Sequence, residues 1–343
     1  MTKRILIVRL SAIGDCILSL PVLNSIRRNF PDSRIGWVIE GAASQLIYGH
    51  AALDDMFVVP RRAFRSPRAL WAFASQLRAW KPDITLDLQG LTKSSLIAWL
   101  SGAKNRLGFQ CDQFEGRELS RVLNNRLYKP ESEHIVERSL ELLRLLGVND
   151  SKVTFDLPEH DNDTKFADRT LRSKQLVGRF AIINVGAGWV SKIWPSDRYA
   201  SIARHLGEKW GTPSVVVWSG QQEKQAADHV VAESCGYATL APSTTLTQLG
   251  SLIRRASLFV GSDTGPMHLS VAIGTPTIGL IGPMPIERVC PYGANNIGVQ
   301  NVRLSKTADR KTDCTPMLSI FSEHVIHVCD QLMDRNLQVR HAS

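Results

Sequence analysis

Short runs of β-branched and aliphatic residues alternate with stretches of helical period along almost the whole chain, and the alternation runs through twice. This pattern commits the chain to α/β layering with parallel strands, because a helix must carry the backbone over the sheet before the next strand begins. In the first half, strands are predicted at residues 5–9, 35–39, 56–59, 84–88 and 106–109. Helices between them cover 66–81, where Leu70, Phe73, Ala74, Leu77 and Trp80 recur on one face, and 92–100. A helix over 134–146 closes the half at Gly147, a usual stop. Residues 149–179 are polar, with one helix near 163–174, and read as the connection between two domains. Strands follow at 180–185, 214–218, 238–240, 258–260 and 277–281, helices at 196–210, 222–235 and 246–256, and a last helix at 321–337. The expected fold is α/β: two Rossmann-like domains with parallel sheets facing a central cleft, whose ligands bind beyond the carboxyl ends of the strands.

Length and composition agree with this. The 343 residues suffice for about two domains. An apolar share of 43% and a charged share of 21% are those of an ordinary globular protein. The apolar run at residues 5–8 ends at Arg9 and is followed by Asp15, too soon for a secretory signal, so a buried strand and a cytoplasmic protein are expected. Six scattered cysteines without a CxxC pair are expected as reduced thiols. The net charge of +9 fits a phosphorylated substrate or an anionic membrane surface, and solubility accounts for it as well. No nucleic-acid motif accompanies the charge, so no nucleic-acid partner is expected.

Three loops at predicted strand ends carry residue types suited to chemistry. Ser11-Ala12-Ile13-Gly14-Asp15 turns from a strand into a helix. Asp15 there can take a proton from a hydroxyl or merely cap the helix, and the loop alone leaves both readings open. Residues 186–195 place two glycines, Lys192 and Pro195 between a strand and a helix, which suits a diphosphate or an ordinary surface loop. In the third loop, Thr264 and Gly265 open a helix where phosphate oxygens could be bound, Asp263 could anchor the loop or hold a sugar hydroxyl, and His268 is a secondary binding candidate. Arg61, Arg62, Arg65 and Lys93 follow other strand ends, and solvated charge is the competing reading. Asp161-Asn162-Asp163 has the form of an acidic metal-binding triplet but lies in the polar connector and is expected at the surface, so no metal site is expected.

Taken in order, these loops resemble glycosyltransferase family 9, the heptosyltransferases of lipopolysaccharide core assembly. The resemblance runs from Ile5 to about Gly293. It rests on Ser11 to Asp15, Trp37-Val38-Ile39-Glu40, the arginine cluster, Asp87-Leu88-Gln89-Gly90-Leu91-Thr92-Lys93-Ser94, Ser191-Lys192-Ile193-Trp194-Pro195 and Asp263-Thr264-Gly265-Pro266-Met267-His268. It implies a GT-B architecture, with an acceptor-binding domain at 1–160, a nucleotide-sugar domain at 175–320 and a C-terminal helix at 321–343 packing back on the first. It further implies an inverting enzyme without a metal or other cofactor, with Asp15 as general base. Lys192, Asp263, Thr264, Gly265 and His268 would be donor-binding, and Ser11, Arg61, Arg62, Arg65, Lys93 and Arg117 acceptor-binding. The Gln89-Gly90-Leu91 run and the paired arginines are more similar to the branch that acts first, moving heptose from ADP-heptose onto the Kdo of lipid A. That implies a nucleotide-sugar donor, a phosphorylated Kdo-lipid acceptor and peripheral contact with the inner face of an anionic cytoplasmic membrane. The sequence departs from the family at Met284-Pro285, where Thr-Asp is common, and at Cys290, where glycine is common. Another GT-B enzyme acting on nucleotide sugars, such as a second-branch heptosyltransferase or an epimerase, and a non-catalytic binder of nucleotide sugars or anionic lipid are the alternatives.

Overall fold

β1 (Arg4–Val8) is the strand around which the first sheet is built, with Ile5, Leu6, Ile7 and Val8 all fully buried. The computed structural model describes residues 2–342 apart from 177 and 306, with side chains as far as Arg335. β2 (Arg34–Ile39) pairs with one side of β1, Val8 opposite Val38, and β4 (Ile84–Asp87) with the other, Val8 opposite Asp87. β3 (Asp55–Val58), β5 (Asn105–Phe109) and β6 (Arg126–Tyr128) extend the sheet to the parallel order β3-β2-β1-β4-β5-β6. Burial on both faces explains why β1, β2 and β4 read as apolar runs and not as alternations.

The second sheet repeats the plan with β7 (Ala181–Asn184), β8 (Ser214–Val217), β9 (Ala238–Leu240), β10 (Leu258–Ser262), β11 (Thr277–Leu280) and β12 (Asn296–Val299) in the order β12-β11-β10-β7-β8-β9. Each sheet therefore reverses direction once, between β1 and β4 and between β7 and β10. The loops after those strands lie at topological switch points, where ligands bind in sheets of this kind.

The chain divides into two compact units after Pro158. In the first, right-handed crossovers set helices Pro67–Trp80, Thr92–Leu100 and Ser120–Leu123 side by side on one face of the sheet. Phe73, Leu77 and Trp80 of the first of these pack with Leu6, Val8 and Phe57. In the second unit Trp194, Tyr199, Val216, Val260 and Leu280 share a core that also takes in Val325, Cys329, Leu332 and Met333 of the last helix, Ser322–Ala342.

Two strands escape the sequence pattern: β6 and β12, the outer strands following β5 and β11. Neither strand carries a continuous buried apolar run. The polar connector is also more tightly held than its composition predicts. Asp150 binds Arg28 and Ser25, Asn24 donates to the Thr154 carbonyl, and His50 pairs with the Phe155 carbonyl. Beyond Pro158 the helix Asp161–Ser173 is clamped by Arg255, whose guanidinium donates to Glu159 and Asp168. Asp161 and Asp163 fall in that helix's first turn, where acidic side chains complement the helix dipole.

Candidate active site

In the first unit the loop after β1 delivers Asp15 to the first turn of helix Ile13–Leu18. One carboxylate oxygen, Oδ2, accepts the Ala12 N–H at 3.2 Å and lies 2.8 Å from the Arg9 guanidinium. The capping reading is therefore correct as far as it goes. Among the described residues, Oδ1 has no hydrogen-bond partner, and the side chain is 38% exposed, so the carboxylate keeps one accessible oxygen. Arg9 is buried, and its guanidinium also donates to the Leu88 carbonyl while Nε stays unbonded. Burial alone would lower the Arg9 pKa, but the charges of Asp15, Cys16 and Glu115 outweigh it and raise the pKa above its ordinary value. Burial also pushes the neighbouring Cys16 thiol up to about 12, which makes it inert.

The loop after β4 meets this site through Gln89, whose side-chain oxygen accepts the Leu10 N–H at 2.9 Å. Asp87 is buried and accepts from Gln89 N, Gly90 N and the Asn124 side chain, so it shapes the loop from within. Gly90 has a φ of +64°, and a Cβ there would lie 2.7 Å from Gly116 N, so this loop and the one carrying Arg117 pack backbone to backbone. The Arg117 N–H donates to the Gly90 carbonyl at 3.1 Å, and the side chain is exposed. Arg61, Arg62 and Arg65 are exposed beyond β3, and Lys93 sits 5.4 Å from the ring centre of Phe64, between those arginines in sequence. Ser11 is half-buried beside Asp15 in sequence. The cations proposed for the acceptor thus gather at strand ends on the Asp15 edge of the sheet.

In the second unit Lys192 and the loop after β10 form one cluster. Lys192 Nζ donates to Asp263 Oδ2 at 2.6 Å and to the Asp263 carbonyl at 2.9 Å, and it lies 4.9 Å from the ring centre of Trp189. His268 Nε2 pairs with Asp263 Oδ1 at 3.1 Å, while its buried Nδ1 is unbonded. Burial pushes the Asp263 carboxyl up, but the Lys192 charge and the His268 hydrogen bond more than cancel this, and its pKa falls to about 2. Asp263 is therefore the ionised anchor of the cluster, and His268 reaches it from one turn into the helix. Thr264 caps helix Gly265–Ile273 through its backbone, with its hydroxyl on the Ser262 carbonyl and no side-chain cap bond. That leaves the Gly265 N–H, half-exposed at a helix start, as a donor for an anion. A Cβ on Gly186 would meet the Glu223 carboxylate at 2.3 Å, so that side chain lies against the loop after β7.

The sequence departures lie between β11 and β12. Gln300 donates to the Gly282 and Met284 carbonyls at 2.9 and 2.8 Å and so holds the Met284-Pro285 turn from the backbone. Cys290 packs its sulfur against Gly298 of β12. Among the described residues, no group of three or more His, Cys, Asp or Glu is placed to hold a metal ion. Arg9 is the residue that reading the sequence overlooked, since its burial and its contact with Asp15 arise only in the fold.

The glycosyltransferase family 9 (heptosyltransferase) model matches residues 70–318, more than half of the chain. Lipopolysaccharide heptosyltransferase 1 of Escherichia coli K12 is 27% identical over 309 residues, covering 86% of this chain and 92% of that protein. A family 9 glycosyltransferase structure from Veillonella parvula superposes with a TM-score of 0.83 at 24% identity, covering 97% of this chain and 98% of the other. The Escherichia coli heptosyltransferase WaaC, solved with ADP, gives 0.75 at 24% identity over 96% and 99% of the two chains. With two sheets of Rossmann type in the GT-B manner, and a family match that takes in Lys93, Lys192 and the Asp263 loop, the chain belongs to glycosyltransferase family 9 and is a glycosyltransferase.

Proposed function

We propose that the enzyme moves heptose from ADP-heptose to the Kdo of a lipid A acceptor, with inversion at the anomeric carbon and without a metal ion. The observation that carries this reading is Asp15, a carboxylate with Oδ2 pinned by Arg9 and the Ala12 N–H and Oδ1 left open. An acceptor hydroxyl gives its proton to Oδ1 as its oxygen bonds to the anomeric carbon. The bond from that carbon to the β-phosphate oxygen breaks, and its electron pair leaves with ADP. Single displacement of this kind inverts the configuration. Lys192 and the Gly265 N–H offset the charge that grows on the diphosphate, and Asp263 keeps Lys192 in place. Arg61, Arg62, Arg65, Lys93 and Arg117 take the phosphates and carboxylates of the acceptor. The name of the Escherichia coli relative and the ADP held by WaaC support the sugar and the base. A lipid acceptor also supports a place at the inner face of the cytoplasmic membrane, with peripheral contact.

A donor screen tests this directly. Purified enzyme is given several nucleotide sugars, with and without a phosphorylated Kdo-lipid, and nucleoside diphosphate release is read. ADP release that requires both ADP-heptose and acceptor is expected. Conversion of the donor without acceptor would identify an epimerase, and donor binding without release would identify a binding protein.

A further inference from the structure

One face of the first unit departs from ordinary solvated surface. Six large apolar side chains are exposed on that unit among the described residues, and four of them belong to the layer of helices Pro67–Trp80, Thr92–Leu100 and Ser120–Leu123. They are Trp71 and Trp99, about half exposed, and Leu119 and Val122, at 57% and 70%. The same three helices carry Arg68, Arg78, Lys93 and Arg121 and no aspartate or glutamate, and the one acid beside Leu119, Glu118, accepts from Thr92 at the start of the second helix. The Arg78 guanidinium lies 5.1 Å from the ring centre of Trp71 and donates to the Leu100 carbonyl, joining the first helix to the second. On the opposite face the arginines of helix Leu20–Asn29 are neutralised, Arg27 by Asp54 and Arg28 by Asp150.

Exposed tryptophans among arginines that form no ion pair among the described residues suit the boundary between lipid headgroups and acyl chains, where rings are buried and cations meet anionic phosphate. A second copy of this chain would set like charges against each other. Nucleic acid offers no apolar phase to Leu119 and Val122. The layer is also continuous with the cations assigned to the acceptor, since Lys93 opens helix Thr92–Leu100 and Arg61, Arg62 and Arg65 lead into helix Pro67–Trp80.

The geometry points to this layer as the surface by which the first unit docks on an anionic lipid bilayer. The inference extends the lipid-linked acceptor of the proposed reaction. The vesicle assay uses neither donor nor acceptor, so the two stand or fall separately. Full-length protein is sedimented with vesicles of phosphatidylethanolamine and phosphatidylglycerol, and with vesicles of phosphatidylcholine alone. Binding to the anionic vesicles only, weakening as salt is added, is expected. The W71S/W99S pair should lower partitioning at least about tenfold. The R68Q/R121Q pair should lower it about 25-fold, at about fivefold for each charge near an anionic surface. Circular dichroism confirms that the variants fold, and ADP release on a water-soluble acceptor fragment should match the parent. Equal binding by the parent and both variant pairs would overturn the assignment. So would self-association through this face, or RNA binding that vesicles do not displace.

Discussion

Asp263 is the charged centre of the Lys192 cluster in the second unit. Its carboxylate is buried between Lys192 and His268, and its pKa lies near 2 against an ordinary 3.8. A carboxyl whose pKa is depressed on folding stabilises the fold fully above the ordinary value and loses that contribution as pH falls through the folded one. The window is therefore pH 4 down to 2, and the contribution at neutral pH is about 2 kcal/mol. Asp263→Ala strands the largely buried Lys192 ammonium and should cost about 3–5 kcal/mol in urea unfolding at neutral pH. Its stability should also fall less than the parent's between pH 4 and 2. An Asp263→Ala protein as stable as the parent at neutral pH would show that Lys192 does not depend on this pairing.

Among the elements, the two loops that meet at Gly90 are in close backbone contact in the first unit. Gly90→Ala would put a Cβ 2.7 Å from Gly116 N at a φ of +64°, against a backbone atom that cannot swing aside. It should destabilise the first unit by about 2 kcal/mol or more. Raised acceptor KM should accompany this, because Lys93 and Arg117 are carried by the displaced loops. Thermal unfolding and acceptor titration check both, and an unchanged melting temperature would contradict the close packing.

The inner strands could be read from the sequence because burial on both faces leaves a continuous apolar run, as in residues 5–8. β6 and β12 could not, because short half-buried outer strands carry no such run. The candidate loops were legible because glycine, a charged residue and a helix start recur at strand ends. The pairing of Arg9 with Asp15 was not, since nothing local distinguishes a buried arginine from one that ends a strand in solvent. His268 likewise gains its tie to Asp263 only through the turn that brings them within 3.1 Å.

At the scale of the whole molecule, the account divides labour between two units of the same plan. In the proposed reaction the first carries the base and the acceptor cations, and the second carries the donor cluster. Lys192→Ala should weaken ADP binding about tenfold or more, since a charge-assisted contact to phosphate is lost. Arg61→Ala should leave ADP binding unchanged and raise acceptor KM, and calorimetry with ADP separates the two. Removal of divalent cations with EDTA should leave turnover unchanged; a loss that added magnesium or manganese restores would contradict diphosphate stabilisation by Lys192 and the helix start alone.

The central claim is that Asp15 takes the proton of the acceptor hydroxyl. ADP release from ADP-heptose in the presence of the Kdo-lipid acceptor, compared between the parent and Asp15→Asn, tests it most directly. Asparagine keeps the shape of the side chain and its tie to the Ala12 N–H but cannot accept the proton as a carboxylate does. A loss in turnover of about 10²–10⁴-fold with ADP binding unchanged is expected. Turnover close to the parent's, in a variant that folds and binds ADP normally, would leave Asp15 as a helix cap and nothing more.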